Sequence, residues 1–140
     1  MMKDNGMNDG SSKFGWVLDE LAERLNGVRY VVMLSNDGLM LGHCAQIPRE
    51  DAERFSAISS ALHSLGASVG RQFSAGNLQQ VMVELDDAML FVTSAGANAC
   101  LAVLGEATAD WGLVAHEMNL TVQRMGTWLS TKTRHSKHVK

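Results

Sequence analysis

The apolar residues of this chain change period along its length, and that change limits what the chain can fold into. Phe14, Val17, Leu18, Leu21 and Leu25 recur at spacings of three and four, which marks one face of a helix. Gly27 follows in the usual stop position. From Val28 to Leu34 the pattern becomes β-branched and aromatic, breaks at Ser35-Asn36-Asp37-Gly38, and resumes over 39–44. Asp-Gly supplies the positive φ that a tight hairpin turn needs, so these runs are two antiparallel strands.

Pro48, the only proline, stands where a helix starts and needs no N–H donor. Glu50, Asp51 and Glu53 follow in its first turns, where the helix dipole favours acids. Phe55, Ile58, Leu62, Leu65, Val69 and Phe73 then recur every three or four residues, so the spacing predicts a helix over 48–71 that packs a stripe centred near Leu62. The opposite face carries Glu53, Ala57, Ser60, Ser64, Ala67 and Arg71. A fully solvated face is normally filled with long charged residues, so small residues there point to the close approach of a partner.

After Ser74-Ala75-Gly76-Asn77 the period returns to two. Over 78–85, Val81, Val83 and Leu85 alternate with Gln80, Met82 and Glu84. Asp86-Asp87 turns into a strand over 88–95, and Gly96-Ala97-Asn98 turns into another over 99–104, a β-meander. A loop over 105–109 leads to Asp110, which opens a last helix with the stripe Trp111, Val114, Met118, Thr121 or Val122, Met125 and Leu129, with Trp128 beside it. The order is α-β-β-α-β-β-β-α: an α+β fold with a five-stranded antiparallel sheet and flanking helices.

Composition agrees with one packed domain. The 140 residues are 46% hydrophobic and 19% charged, the balance of a chain that can build a core. Residues 12–131 read as that domain, 1–11 as a disordered leader and 132–140 as a basic disordered tail. All 15 acids but only eight of the 12 Lys and Arg precede residue 132, so the body carries −7, the wrong sign for nucleic-acid binding. No apolar run approaches the ~20 residues of a membrane span, and no signal-peptide pattern opens the chain. Cys44 and Cys100 sit inside apolar segments, as free thiols do in a reducing cytoplasm.

Templates for catalysis fail on spacing or context. Gly66-Ala67-Ser68-Val69-Gly70-Arg71 is glycine-rich but lies inside a helical stripe, whereas a phosphate loop joins a strand to a helix N-terminus. His43, His63, His116, His135 and His138 share no metal-ligand spacing with either cysteine. Neither cysteine has an evident base, and the Asp86-Asp87 pair belongs to a solvated turn. The expectation is a protein without catalytic, metal or cofactor residues.

The element order, the segments VVMLSNDGL at 31–39 and MVELDDAMLFVT at 82–93, CLAVL at 100–104 and DWGLV at 110–114 resemble the Roadblock family (Roadblock/dynein light chain). The resemblance spans 14–129 and is strongest to the Roadblock proteins of actinobacterial GTPase modules called conservons. It implies a Roadblock/profilin-like fold and a non-enzymatic regulator or scaffold. Family members pair the third strand and the middle helix across a two-fold axis, giving one ten-stranded sheet. Carried over, this makes 48–71 and 78–85 the dimer surface, with Glu53, Ala57, Ser60, Ser64, Ala67, Arg71, Leu78, Gln80, Met82 and Glu84 as interface candidates. The implied partners are a second copy, a Ras-like small GTPase whose hydrolysis some family members stimulate, and a sensor-kinase-like protein. No nucleic acid, cofactor or direct membrane insertion is implied; the location is cytoplasmic, with any membrane association made through partners. A small-molecule sensor or a general protein-interaction module without a GTPase partner is the competing reading.

Overall fold

A computed structural model describes residues 12–96 and 98–139, with side chains described for 14–96 and 98–125. The elements follow in the expected order: α1 (Ser12–Arg24), β1 (Val28–Ser35), β2 (Met40–His43), α2 (Arg49–Gln72), β3 (Gln80–Glu84), β4 (Ala88–Ser94), β5 (Ala99–Glu106) and α3 (Trp111–Val139). The strands form one antiparallel sheet in the order β2-β1-β5-β4-β3. Apart from β2 and β3, which α2 separates, consecutive strands are joined by tight turns: Ser35 N–H donates to the Leu39 carbonyl at 2.8 Å around Gly38, whose φ of +94° is the left-handed geometry foreseen for Asp-Gly. Leu85 N–H donates to the Ala88 carbonyl at 2.8 Å across the Asp86-Asp87 turn.

Both faces of the sheet are covered, which is why its central strands do not alternate. Val31, Val32, Met33 and Leu34 of β1 are all fully buried, as are Cys100 to Val103 of β5. On one face the Phe91 ring stacks on Trp111 of α3, with centroids 6.3 Å apart and planes within 2°. On the other, a Cβ placed on Gly66 of α2 would stand 3.3 Å from Val81. Since Phe91 pairs with Met82 and Val81 with Val92 in adjacent register, α2 and α3 lie on opposite faces. Helix α1 lies beside α3, and its Phe14, Val17, Leu18, Leu21 and Leu25 are in the core as the spacing required. Val114, Met118, Thr121 and Met125 are the buried row of α3; the side chains of Trp128 and Leu129 lie outside the described residues.

The boundaries depart from expectation in three places. Gly105 and Glu106 belong to β5 rather than to a loop, because they continue its pairing with Val28 of β1 and with Met89 and Ala88 of β4; the Gly27 carbonyl and the Trp111 ring close over 105 and leave no room for a side chain there. Strand β3 is shorter than 78–85, beginning at Gln80 and ending at Glu84. Helix α3 runs to Val139, through the segment expected to be an unstructured tail: no glycine or proline after Gly126 interrupts it, and its basic residues suit a helix C-terminus. The leader at 1–11 lies outside the described residues.

Candidate interaction surface

Helix α2 is turned on the sheet by about one residue from expectation, so that Phe55 and Leu62 of the expected inner stripe stay at the core while the rest of that stripe faces out. Its buried residues are Ala52, Ser56 and Ser59, and the row they begin continues through His63, Gly66 and Gly70. Ser56 Oγ donates back to the Ala52 carbonyl at 2.8 Å, and Ser60 Oγ donates to the Asn36 carbonyl in the β1–β2 turn at 2.8 Å. His63 Nε2 stands 3.1 Å from Ser94 Oγ at the end of β4. Further along, Leu78 approaches the Cβ position of Gly66 at 3.0 Å, and Gly76 is packed against Gly70. Small residues let the helix axis come close to the strand ends and their turns, where a row of leucines could not fit.

The large apolar residues are left outside. Ile58, Leu65, Val69 and Phe73 are 53%, 67%, 54% and 75% exposed, while Phe55 and Leu62 are half-buried at the margin of the core. The stripe that the spacing assigned to the interior is thus an outward face, and the proposed small outward face is partly turned in. Of its members, Ser60 and Ala67 are half-buried; Glu53, Ala57, Ser64 and Arg71 are exposed. Glu53 pairs with Arg49 at 3.3 Å, and Arg71 donates to Ser68 Oγ at 3.2 Å. Fully burying a side chain such as Leu65 or Phe73 is worth roughly 1.5–3 kcal/mol, so a row of four left in water is a strong drive to association.

The C-terminal half of α2 lies over β3, as the Leu78 and Val81 contacts with Gly66 show, and β3 is the edge of the sheet. Among the described residues no strand pairs with its outer side, which leaves a row of backbone N–H and carbonyl groups of the kind by which one sheet extends into another. Gln80, Met82 and Glu84 are exposed on it, Leu78 is half-buried before it, and Leu85 just beyond it is 53% exposed. The interface candidates named from the sequence lie on α2 and on or beside β3, and the structure adds Ile58, Leu65, Val69, Phe73 and Leu85 as exposed apolar residues on or beside the same two elements.

Titratable groups give this surface little chemistry. Burial at the α2–β4 seam lowers the pKa of His63. Burial likewise pushes the Cys100 thiol up to about 11, with Sγ donating to Asn36 Oδ1 at 3.3 Å. Cys44 Sγ accepts from Val31 N–H at 3.3 Å in the core. Among the described residues no three His, Cys, Asp or Glu side chains are grouped to hold a metal ion.

A three-helix, five-strand unit in this order, with its middle helix and edge strand open, defines the class, and comparison with known proteins agrees. Residues 14–105 match the Roadblock/LC7 domain family, and the chain belongs to that family. It is similar to the Roadblock/LC7 domain from Streptomyces avermitilis at 36% identity, with 83% of this chain and 97% of that one covered and a TM-score of 0.80. Myxococcus xanthus MglB shares the fold at 14% identity and a TM-score of 0.78, over 94% of this chain and 95% of its own. The gliding protein MglB from Thermus thermophilus does so at 16% identity and 0.68, over 91% and 95%. No match was found among curated proteins.

Proposed function

We propose that the chain is a homodimeric regulator and scaffold for a Ras-like small GTPase in a bacterial signalling module, and that it raises GTP hydrolysis by the partner without contributing a catalytic group. The observation that carries this reading is the exposed row Ile58, Leu65, Val69 and Phe73 on α2, above the free edge of β3. Membership of the Roadblock/LC7 family supports it, and so does the shared fold of the MglB proteins. Two copies joined through β3 and α2 form one ten-stranded sheet with a pair of helices presented side by side, a broad platform on which a GTPase can seat. The site of action is the cytoplasm, with a sensor-kinase-like protein as a further partner. No helix among the described residues is long and apolar enough to cross a membrane.

The test is to mix the full chain with the Ras-like small GTPases of its own genome, each loaded with GTP or GDP, and to follow co-elution and phosphate release. The reading predicts a complex in at least one nucleotide state, with faster turnover. Failure to bind in either state contradicts it.

A further inference from the structure

On the face of the sheet opposite α2, helices α1 and α3 run antiparallel, tied by Arg24 to Glu117 at 2.8 Å and Arg124 to Glu20 at 3.9 Å. Beside these ion pairs, Leu113 and Leu120 stand two helical turns apart on the outside of α3, 47% and 42% exposed. Glu117 and Arg124 continue the same stripe at helical spacing. A groove of about 540 Å³ lies along it, lined by Arg24, Glu117, Leu120, Gln123 and Arg124.

We infer that this stripe is a second self-contact, in which α3 of one protomer packs antiparallel on α3 of another about a two-fold axis beside Leu120. The charge pattern commits the occupant. Glu117 and Arg124 are equidistant from the point between residues 120 and 121, so an antiparallel mate brings Glu117 of each chain onto Arg124 of the other, twice. A parallel mate would set Glu117 on Glu117 and Arg124 on Arg124, which repel. The Glu117 carboxylate has acceptor sites enough for Arg24 of its own chain and Arg124 of the second copy together. Leu120 meets its own copy near the axis and supplies the apolar centre. Because α2 occupies the opposite face, both contacts can form at once and link dimers into larger assemblies.

Sedimentation of the full chain over a range of concentrations, with disulfide trapping, tests this. The native chain is expected to show species larger than the dimer that grow with concentration, and Leu120→Glu to lose them while keeping the dimer. Leu120→Cys is expected to oxidise to a covalent pair, since the native Cys44 and Cys100 are buried and do not compete. Leu113→Cys is expected to stay uncrosslinked, because its mate lies near residue 128, about 22 Å along the helix at 1.5 Å per residue. Crosslinking of Leu113→Cys as readily as Leu120→Cys overturns the antiparallel register. A native chain that never exceeds a dimer, or larger species that survive Leu120→Glu, overturns the contact itself. Neither result touches the α2 pairing, which is read separately from Leu65→Arg.

Discussion

The carbonyl oxygen of Gly76 occupies the space in which a Cβ on Gly70 would stand. Ala75 N–H also donates to the Gly70 carbonyl at 2.9 Å, so the link from α2 to β3 is folded back onto the last turns of the helix. The glycines of 66–71 are therefore a packing device that seats the edge strand under α2.

Gly70→Ala should destabilise the fold by about 1–3 kcal/mol, the usual cost of overpacking, even though alanine gains roughly 1 kcal/mol in helix propensity. Gly15→Ala in α1, where nothing lies within 4 Å of the new Cβ, should gain about 0.5–1 kcal/mol instead. Denaturant melts of the two variants decide between a steric role for Gly70 and a merely helical one.

His63 gives the α2 seam a pH dependence. Burial lowers its pKa from 6.5, so between that lowered value and 6.5 the unfolded chain binds a proton that the folded chain refuses. Stability is complete above pH 6.5 and falls as the pH drops through this window, levelling off below the folded pKa. His63→Gln should flatten that part of the melting-temperature profile relative to the native chain. A difference between the two proteins that is constant with pH would show that His63 titrates freely.

The thiols should be inert in the folded protein. Cys44 and Cys100 are fully buried, and Cys100 keeps its proton up to about pH 11. At pH 8 a thiol reagent such as Ellman's should label neither cysteine within minutes and both after unfolding. Rapid labelling of the native chain would mean that β2 or β5 opens far more readily than a core strand should.

Periodicity made most of the fold legible. Val28 to Leu34, Asp37-Gly38 and the alternation after Leu78 dictated hairpins whatever packed on them, and all five strands appear in the expected order, with β3 shorter and β5 longer than the pattern gave them. The orientation of α2 was not legible in the same way. A helical wheel locates Ile58, Leu65 and Val69 on one side, but sending that side inward assumes that the chain satisfies its apolar surface by itself. Here the sheet-facing row is Ala52, Ser56, Ser59, His63, Gly66 and Gly70, one residue out of step with the row expected to face outward. Its 4-3-4-3-4 spacing of small residues, interrupted only by His63 and ending in two glycines, was the available signal. The helix end at Val139 was missed because charge and polarity suggest disorder, while continuity of a helix depends on the absence of glycine and proline.

The central claim is that the exposed stripe of α2 is a pairing surface, and the solution mass tests it most directly. In the Leu120→Glu background, which removes the α3 contact, light scattering should give twice the chain mass of 15.2 kDa. Adding Leu65→Arg should halve that mass while leaving the helical circular dichroism unchanged, because Leu65 is 67% exposed and contributes little to the core. Ser64→Arg, on the side of the helix away from the stripe, should leave the mass doubled. A single-chain mass without Leu65→Arg, or a doubled mass that survives it, would contradict the account.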